Sequence, residues 1–184
     1  MARVHLIFRT IHIFLRARRG ERISRFGVAE TPFRVWATDL DIFRHMNNGV
    51  YLSILDLGRV DLLSRSGIWA IFTAKRWYPV VVAETISFRK SLTLGQRFTV
   101  ESKVLGFDAK SVYIQQRFVV AGEIYAEAFV RGRFLKRGAG VVQIPEVLAA
   151  LGELPADLVV PEWVLAWAES TALPATRAPA PSEW

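Results

Sequence analysis

TDLDIFRHMNNGVYL (Thr38–Leu52) places two carboxylates, a histidine and two adjacent asparagines directly before an apolar run. From Asn48 to Ser66, Val50, Ile54, Leu57, Val60 and Leu63 recur at helical spacing, and Leu52, Leu55 and Leu62 widen the stripe. That pattern predicts a long helix stopped at Gly67. So broad a stripe implies that a sheet covers most of the helix. Asn47 suits the N-cap, and the first-turn N–H groups beyond it have no acceptor within the helix.

Working outward, PFRVWAT alternates Phe33, Val35 and Ala37 against Arg34 and Trp36, which predicts a short strand. A second short helix is expected over Ile68–Lys75. Four β-branched or aromatic-rich runs follow, separated at Leu94-Gly95, Asp108-Ala109 and Ala121-Gly122. One strand, one long helix and four strands describe an α+β meander with the helix on one sheet face. IPEVLAALG and PEWVLAWAES read as two short C-terminal helices over residues 138–171, with proline near their starts. Residues 172–184 are Pro/Ala-rich and are expected to be disordered.

The net charge of +7 is concentrated at one end: residues 1–34 hold eight arginines against Glu21 and Glu30. No basic globular surface for nucleic acid is indicated. Within residues 1–19, His5, Arg9, His12 and Arg16 fall on one helical face, and apolar residues cover the rest. The run is too short and too charged to span a bilayer, which takes roughly 20 apolar residues. It lacks the small-residue cleavage site of a secretory signal. Two readings stand: a helix lying in a membrane interface, or one packed on the domain or on a second copy. Residues 20–31 read as a linker. The absence of cysteine excludes disulfides and thiolate chemistry and fits a reducing compartment. The expected location is cytoplasmic, with peripheral contact at the inner face of the membrane through residues 1–19.

First-turn N–H groups and the positive end of the helix dipole stabilise negative charge on a bound oxygen. A carboxylate a few residues upstream can act as nucleophile or general base. The pair suits hydrolysis of an activated acyl group. The same Asp and Asn residues also serve as turn and cap residues, so residue types alone leave the chemistry open.

DLDIFRHMNNGVYL (residues 39–52) closely resembles the approach to the central helix in hotdog-fold acyl-CoA thioesterases of the 4-hydroxybenzoyl-CoA thioesterase type. Their common form is D-x-D-x-x-x-H-V-N-N-x-x-Y. The order of elements over residues 32–137 matches as well. WYPVVVAETISFRKSL, RFTVESKVLGFD and the basic, hydrophobic N-terminus resemble the subgroup that includes thioesterase superfamily member six. The resemblance implies an antiparallel sheet wrapped around a long central helix, with dimers or dimers of dimers joined sheet edge to edge. It places active sites at the dimer interface, with no metal and no organic cofactor beyond the CoA of the substrate. Asp41 would attack the thioester carbonyl or activate a water, and the Asn48 N–H would polarise the carbonyl oxygen. Arg44 stands where many members carry glycine.

Other candidates carry two readings each. His45 orients substrate or water, or holds the loop by a hydrogen bond. Asn47 is an N-cap beside the substrate, and Tyr51 a pocket wall. Asp39 is structural. Arg89 and Lys90, with Lys110 and Ser111 at a hairpin, either meet the CoA phosphates or are solvated polar groups. Glu84 is a polar group near the acyl site or one arm of an interface salt bridge. Trp69, Phe72 and Trp77 line an acyl tunnel or fill the core. The function expected is acyl-CoA hydrolysis; the alternative is a non-catalytic, membrane-associated acyl-binding or scaffold protein on the same fold.

Overall fold

The computed structural model describes residues 2–175 and 178–182, and side chains from residue 7 onward. Helix α1 (Ala2–Arg19) precedes strand β1 (Ala29–Arg34), the long helix α2 (Asn48–Arg65) and the short α3 (Ile68–Lys75). Strands β2 (Trp77–Phe88), β3 (Arg97–Phe107), β4 (Val112–Val120), β5 (Glu123–Lys136) and the two-residue β6 (Gly140–Val141) follow. Helices α4 (Ile144–Leu151) and α5 (Glu162–Ser170) close the chain. The strands form one antiparallel sheet in the order β1-β3-β4-β5-β2, with β6 paired to the end of β5. The sheet curls around α2, the arrangement the resemblance implies.

Of the stripe expected on α2, Ile54, Leu55, Leu57, Leu62 and Leu63 are buried, whereas Val50 and Val60 are half-buried and Leu52 is exposed. Tyr51 and Gly58 are buried as well. Gly58 marks a close approach to the sheet. A Cβ there would lie 2.9 Å from Val100 Cγ1 and from Ser102 Oγ, so only a glycine lets helix and sheet approach at this point. Around this contact the inner sheet face packs in two clusters. One joins Tyr51, Ile54 and Leu55 to Phe98, Val100 and Phe118. The other joins Leu62 and Leu63 to α3, α4, Val104, Ile114 and Phe134. Because α5 covers part of the outer face, through Val164 and Ala168 on Tyr113 and Phe129, β4 is buried on both faces along its first half.

Three local expectations shift. The first strand lies at Ala29–Arg34 rather than over residues 33–37. Ala29 and Thr31 face inward, and Pro32 is tolerated because β1 is an edge strand with one side free of ladder bonds. Past Arg34 the chain turns through a short 3₁₀ segment, Ala37–Asp39, where Asp39 Oδ2 accepts the Trp36 N–H at 2.8 Å.

Residues 20–28 carry no regular element, yet they are fastened to the domain. The Arg65 Nε–H donates to the Glu21 carbonyl at 2.9 Å, Arg25 donates to the Leu151 carbonyl, and Ile23 and Phe26 pack on the core.

Helix α1 lies along α2 with Ile13 and Ala17 buried. Its basic side is partly seated: the Arg9 guanidinium pairs with buried Asp39 at 2.8 Å and Arg16 is half-buried, while His12 stays exposed. His5, also expected on that side, lies outside the described side chains. Ile7, Phe8, Ile11 and Leu15 are left facing outward. No helix among the described residues is long and apolar enough to cross a membrane. The tail has no helix or strand at residues 172–175 and 178–182; Thr176, Arg177, Glu183 and Trp184 lie outside the described residues.

Candidate active site

Residues 39–47 form a small loop hairpin. The Asn47 N–H donates to the Asp39 carbonyl at 2.8 Å, and the Asp41 N–H to the His45 carbonyl at 2.9 Å. Leu40 bridges Met46, His45 bridges Thr93, and the Met46 N–H donates to the Leu92 carbonyl at 2.8 Å. The hairpin is thereby tied to the β2–β3 connection. At its tip the chain reverses through Arg44 at φ 63°, a left-handed conformation in which a side chain is strained. A glycine, which the resemblance leads one to expect there, would adopt that conformation without strain; the Arg44 side chain is exposed.

Asp41 sits at the neck of this turn, partly exposed. Its Oδ1 accepts the N–H groups of Phe43 at 2.9 Å and His45 at 3.2 Å. Oδ2 accepts no hydrogen bond among the described residues. Asn47 caps α2 by accepting the Gly49 N–H at 2.9 Å, so its side chain is committed to the cap. The Asn48 N–H, first in the helix, donates to no acceptor among the described residues. One loop thus presents a fixed carboxylate and an open helix N-terminus, the two parts that acyl transfer requires.

The remaining candidates separate. Asp39 is 2% exposed and holds Arg9 and the Trp36 N–H, a structural role. The His45 imidazole is exposed and makes no hydrogen bond among the described residues, so it does not hold the loop; its backbone does. Tyr51 is a core residue rather than a pocket wall. It is 2% exposed, lies between Phe88 and Phe118, and accepts the Leu92 N–H at 3.2 Å. Burial raises its pKa, against the lowering effect of that bond.

Arg89 and Lys90 lie near the same sheet end, and both are held by Glu123 at 2.7 Å. Their hydrogen bonds lower the Glu123 pKa. Lys110 and Ser111 stand at the opposite end of the sheet, roughly 35 Å away along β3. There Asp108 accepts both of their N–H groups at 2.6 Å, and the buried Ser111 hydroxyl accepts from Arg131. Within one chain they are not brought to Asp41.

An apolar cavity of about 410 Å³ opens between α2, α3 and the inner sheet face. Trp69, Phe72, Tyr78, Val104, Phe107 and Phe134 contribute to its walls, while Trp77 does not. Asp56 and Arg59 are its charged lining residues. Arg59 was not singled out from sequence. Its guanidinium pairs with Asp56, with Glu84 at 3.1 Å and with the Gln116 amide oxygen at 2.7 Å. Glu84 therefore has its salt bridge within the chain. Gln116, fully buried, also donates to the Leu55 carbonyl at 3.0 Å and to Ser102 at 2.8 Å. The available signal was an arginine three residues after an aspartate beside the apolar stripe, together with the polar run Gln115-Gln116-Arg117 in the middle of a strand.

The sequence model of the Thioesterase-like superfamily matches residues 35–167. The chain belongs to that superfamily. Protein THEM6 of Danio rerio is 37% identical over 95 residues, which cover 52% of this chain and 47% of the relative. The long-chain acyl-CoA thioesterase FadM of Escherichia coli is 29% identical over 103 residues, covering 55% and 78%. The crystal structure of the YbaW probable thioesterase from Escherichia coli aligns at a TM-score of 0.62 and 25% identity, over 66% of this chain and 94% of that one. The match spans about half the length of the THEM6 proteins of Danio rerio and Xenopus laevis. Superfamily membership and the α+β hotdog fold thus agree with the resemblance carried by residues 39–52.

Proposed function

We propose that the protein hydrolyses an acyl-CoA thioester. The observation that carries the reading is the pairing, within one loop, of the Asp41 carboxylate with the unoccupied Asn48 N–H. Asp41 would attack the carbonyl carbon itself, giving an acyl anhydride that water then hydrolyses, or would take a proton from the water that attacks that carbon. In either case the Asn48 N–H and the helix dipole take the charge growing on oxygen, the C–S bond breaks, and CoA leaves as the thiol. The 410 Å³ apolar cavity is of a size that holds small ligands; it lies toward the Lys110 end of the sheet, so it would receive the acyl chain of a thioester held at a partner copy's loop. Long-chain acyl-CoA is the first substrate to test, since FadM carries that activity in its name.

The reading includes a homodimer. Strand β2 is an edge strand that leaves Tyr78, Val81, Val82 and Phe88 exposed, and a bulge between Val81 and Ala83 interrupts its register. Such an edge is a template for pairing. Two-fold antiparallel pairing of β2 with its copy reverses the strand. The Phe88 end, beside the Asp41 hairpin, then meets the partner's opposite sheet end. Lys110 and Ser111 would come to the CoA phosphates only from that partner copy.

Peripheral membrane contact through α1 belongs to the same proposal. Its outward face of Ile7, Phe8, Ile11 and Leu15 would enter the interface, with exposed Arg18, Arg19 and Arg22 at the headgroups.

The test of hydrolysis is thiol release from acyl-CoAs of graded chain length. Turnover that peaks at one length supports the reading. Binding without release across the whole series would favour the non-catalytic acyl-binding alternative.

A further inference from the structure

The proposed thioester chemistry leaves a groove between α1 and β1 unused. It has a volume of about 360 Å³, and its lining includes Arg9, His12, Phe33, Arg34, Trp36 and Arg97. The strand register sets Arg34 directly opposite Arg97. Like charges facing each other across a strand pair are destabilising. Among the described residues neither guanidinium has a carboxylate partner; the Arg34 Nε–H donates to the Gly95 carbonyl at 3.0 Å.

Arg9 adds a third guanidinium. Its side chain is 10% exposed, and its Nη2 donates to Asp39 and to the Arg34 carbonyl. Its group lies over the Trp36 ring at 5.3 Å, yet the buried Nη1 has no hydrogen-bond acceptor among the described residues. A buried charged donor left without an acceptor costs free energy that a bound anion would recover. The carboxylate at the groove, Asp39, is already engaged by Arg9 and by the Trp36 N–H. The site thus carries an excess of positive charge, and a half-exposed indole stands at its wall.

We propose that this groove is a phosphate-binding site. A guanidinium recognises phosphate in bidentate fashion, and the facing pair Arg34 and Arg97 gains from an anion held between them. Two sources share that chemistry: the nucleotide end of CoA, and the headgroup of an anionic phospholipid. α1 supplies Arg9 and His12, so the site exists only where this helix seats on the domain.

The test uses the full chain and no turnover, so it stands apart from the hydrolysis reading. Two probes are titrated: adenosine 3′,5′-bisphosphate by calorimetry, and vesicles of phosphatidic acid in phosphatidylcholine by sedimentation. Binding of the bisphosphate, or vesicle binding that falls when Arg34 and Arg97 are replaced while the apolar face of α1 is left intact, supports the proposal and names the source. Arg34→Ala combined with Arg97→Ala should weaken that binding at least tenfold, and Arg97→Gln alone severalfold. Arg97→Glu, which turns the repulsive pair into an attractive one, should unfold at a higher temperature than wild type without ligand and should lose the response to phosphate. Failure of both probes to bind, unchanged affinity in the Arg97 variants, or an equal response to chloride at matched ionic strength would overturn it.

Discussion

Replacing Asp41 with asparagine separates the chemistry from the turn that positions it. Oδ1 accepts the Phe43 and His45 N–H groups at 2.9 and 3.2 Å, and the asparagine carbonyl oxygen can accept the same two donors. The negative charge is lost, so both bonds change from charge-assisted to neutral. At a partly exposed turn that costs about 1 kcal/mol or less. For a chain of this length such a loss moves Tm by about 2–4 °C. Turnover should fall much further, by about 10²–10⁴-fold, the range for a positioned acid–base group. That corresponds to about 3–5 kcal/mol of barrier. Asp41→Ala removes both acceptors while Arg44 remains in its left-handed conformation. It should therefore cost about 1–2 kcal/mol more in stability than the asparagine variant, with no further loss of rate. The assay is thiol release from the preferred acyl-CoA, with binding of that acyl-CoA and thermal unfolding measured on the same samples. Turnover of Asp41→Asn within a fewfold of wild type would refute the reasoning. So would a fall in its Tm equal to that of the alanine variant, because Asp41 would then be a turn residue only.

Val82→Lys puts a charge at the bulge of the free β2 edge and should convert a dimer to a monomer in sedimentation, whereas an unchanged dimer rules out pairing through that edge. Ile7→Ser, Phe8→Ser and Ile11→Ser together leave the Arg9–Asp39 contact in place. They should weaken binding to anionic vesicles by at least tenfold with Tm nearly constant, and undiminished binding would dismiss α1 as the membrane face. Deleting residues 1–19 should instead destabilise the domain, since Asp39 loses its cation and α2 loses Ile13 and Ala17.

Asp108 supplies the pH dependence. Burial pushes its pKa up, but the Tyr113 hydroxyl, the Lys110 and Ser111 N–H groups and the Arg131 charge outweigh that and bring it below the ordinary 3.8. A pKa lower in the folded state means that the stabilisation is present above 3.8 and is lost as pH falls through the folded value. Wild type should therefore lose Tm more steeply than Asp108→Asn on acidification below about pH 4, and parallel slopes would contradict the assignment.

Local patterns carried most of the architecture. Periodicity and stop residues located α2 and α3, because helix ends are set within a turn or two of sequence. The loop before α2 was legible for the same reason: Asp41, Asn47 and Asn48 lie within eight residues, and their geometry is a matter of one turn and one cap. What the sequence did not decide were relations between distant segments. The burial of Gly58 on α2 arises where it meets Val100 and Ser102, a contact between helix and sheet. Lys110 reads as a neighbour of the site but stands at the far end of β3, since strand length sets its distance. Arg9 and Arg16 share a basic helical face in either of the two readings of α1. Only the buried carboxylate of Asp39, thirty residues on, turns that face inward and leaves Ile7, Phe8 and Ile11 outside. Arg34 and Arg97 are unremarkable in sequence; the pairing register of β1 with β3 sets them opposite each other. Caps and periodicity act over a few residues, whereas register and charge pairing arise only when the chain has closed on itself.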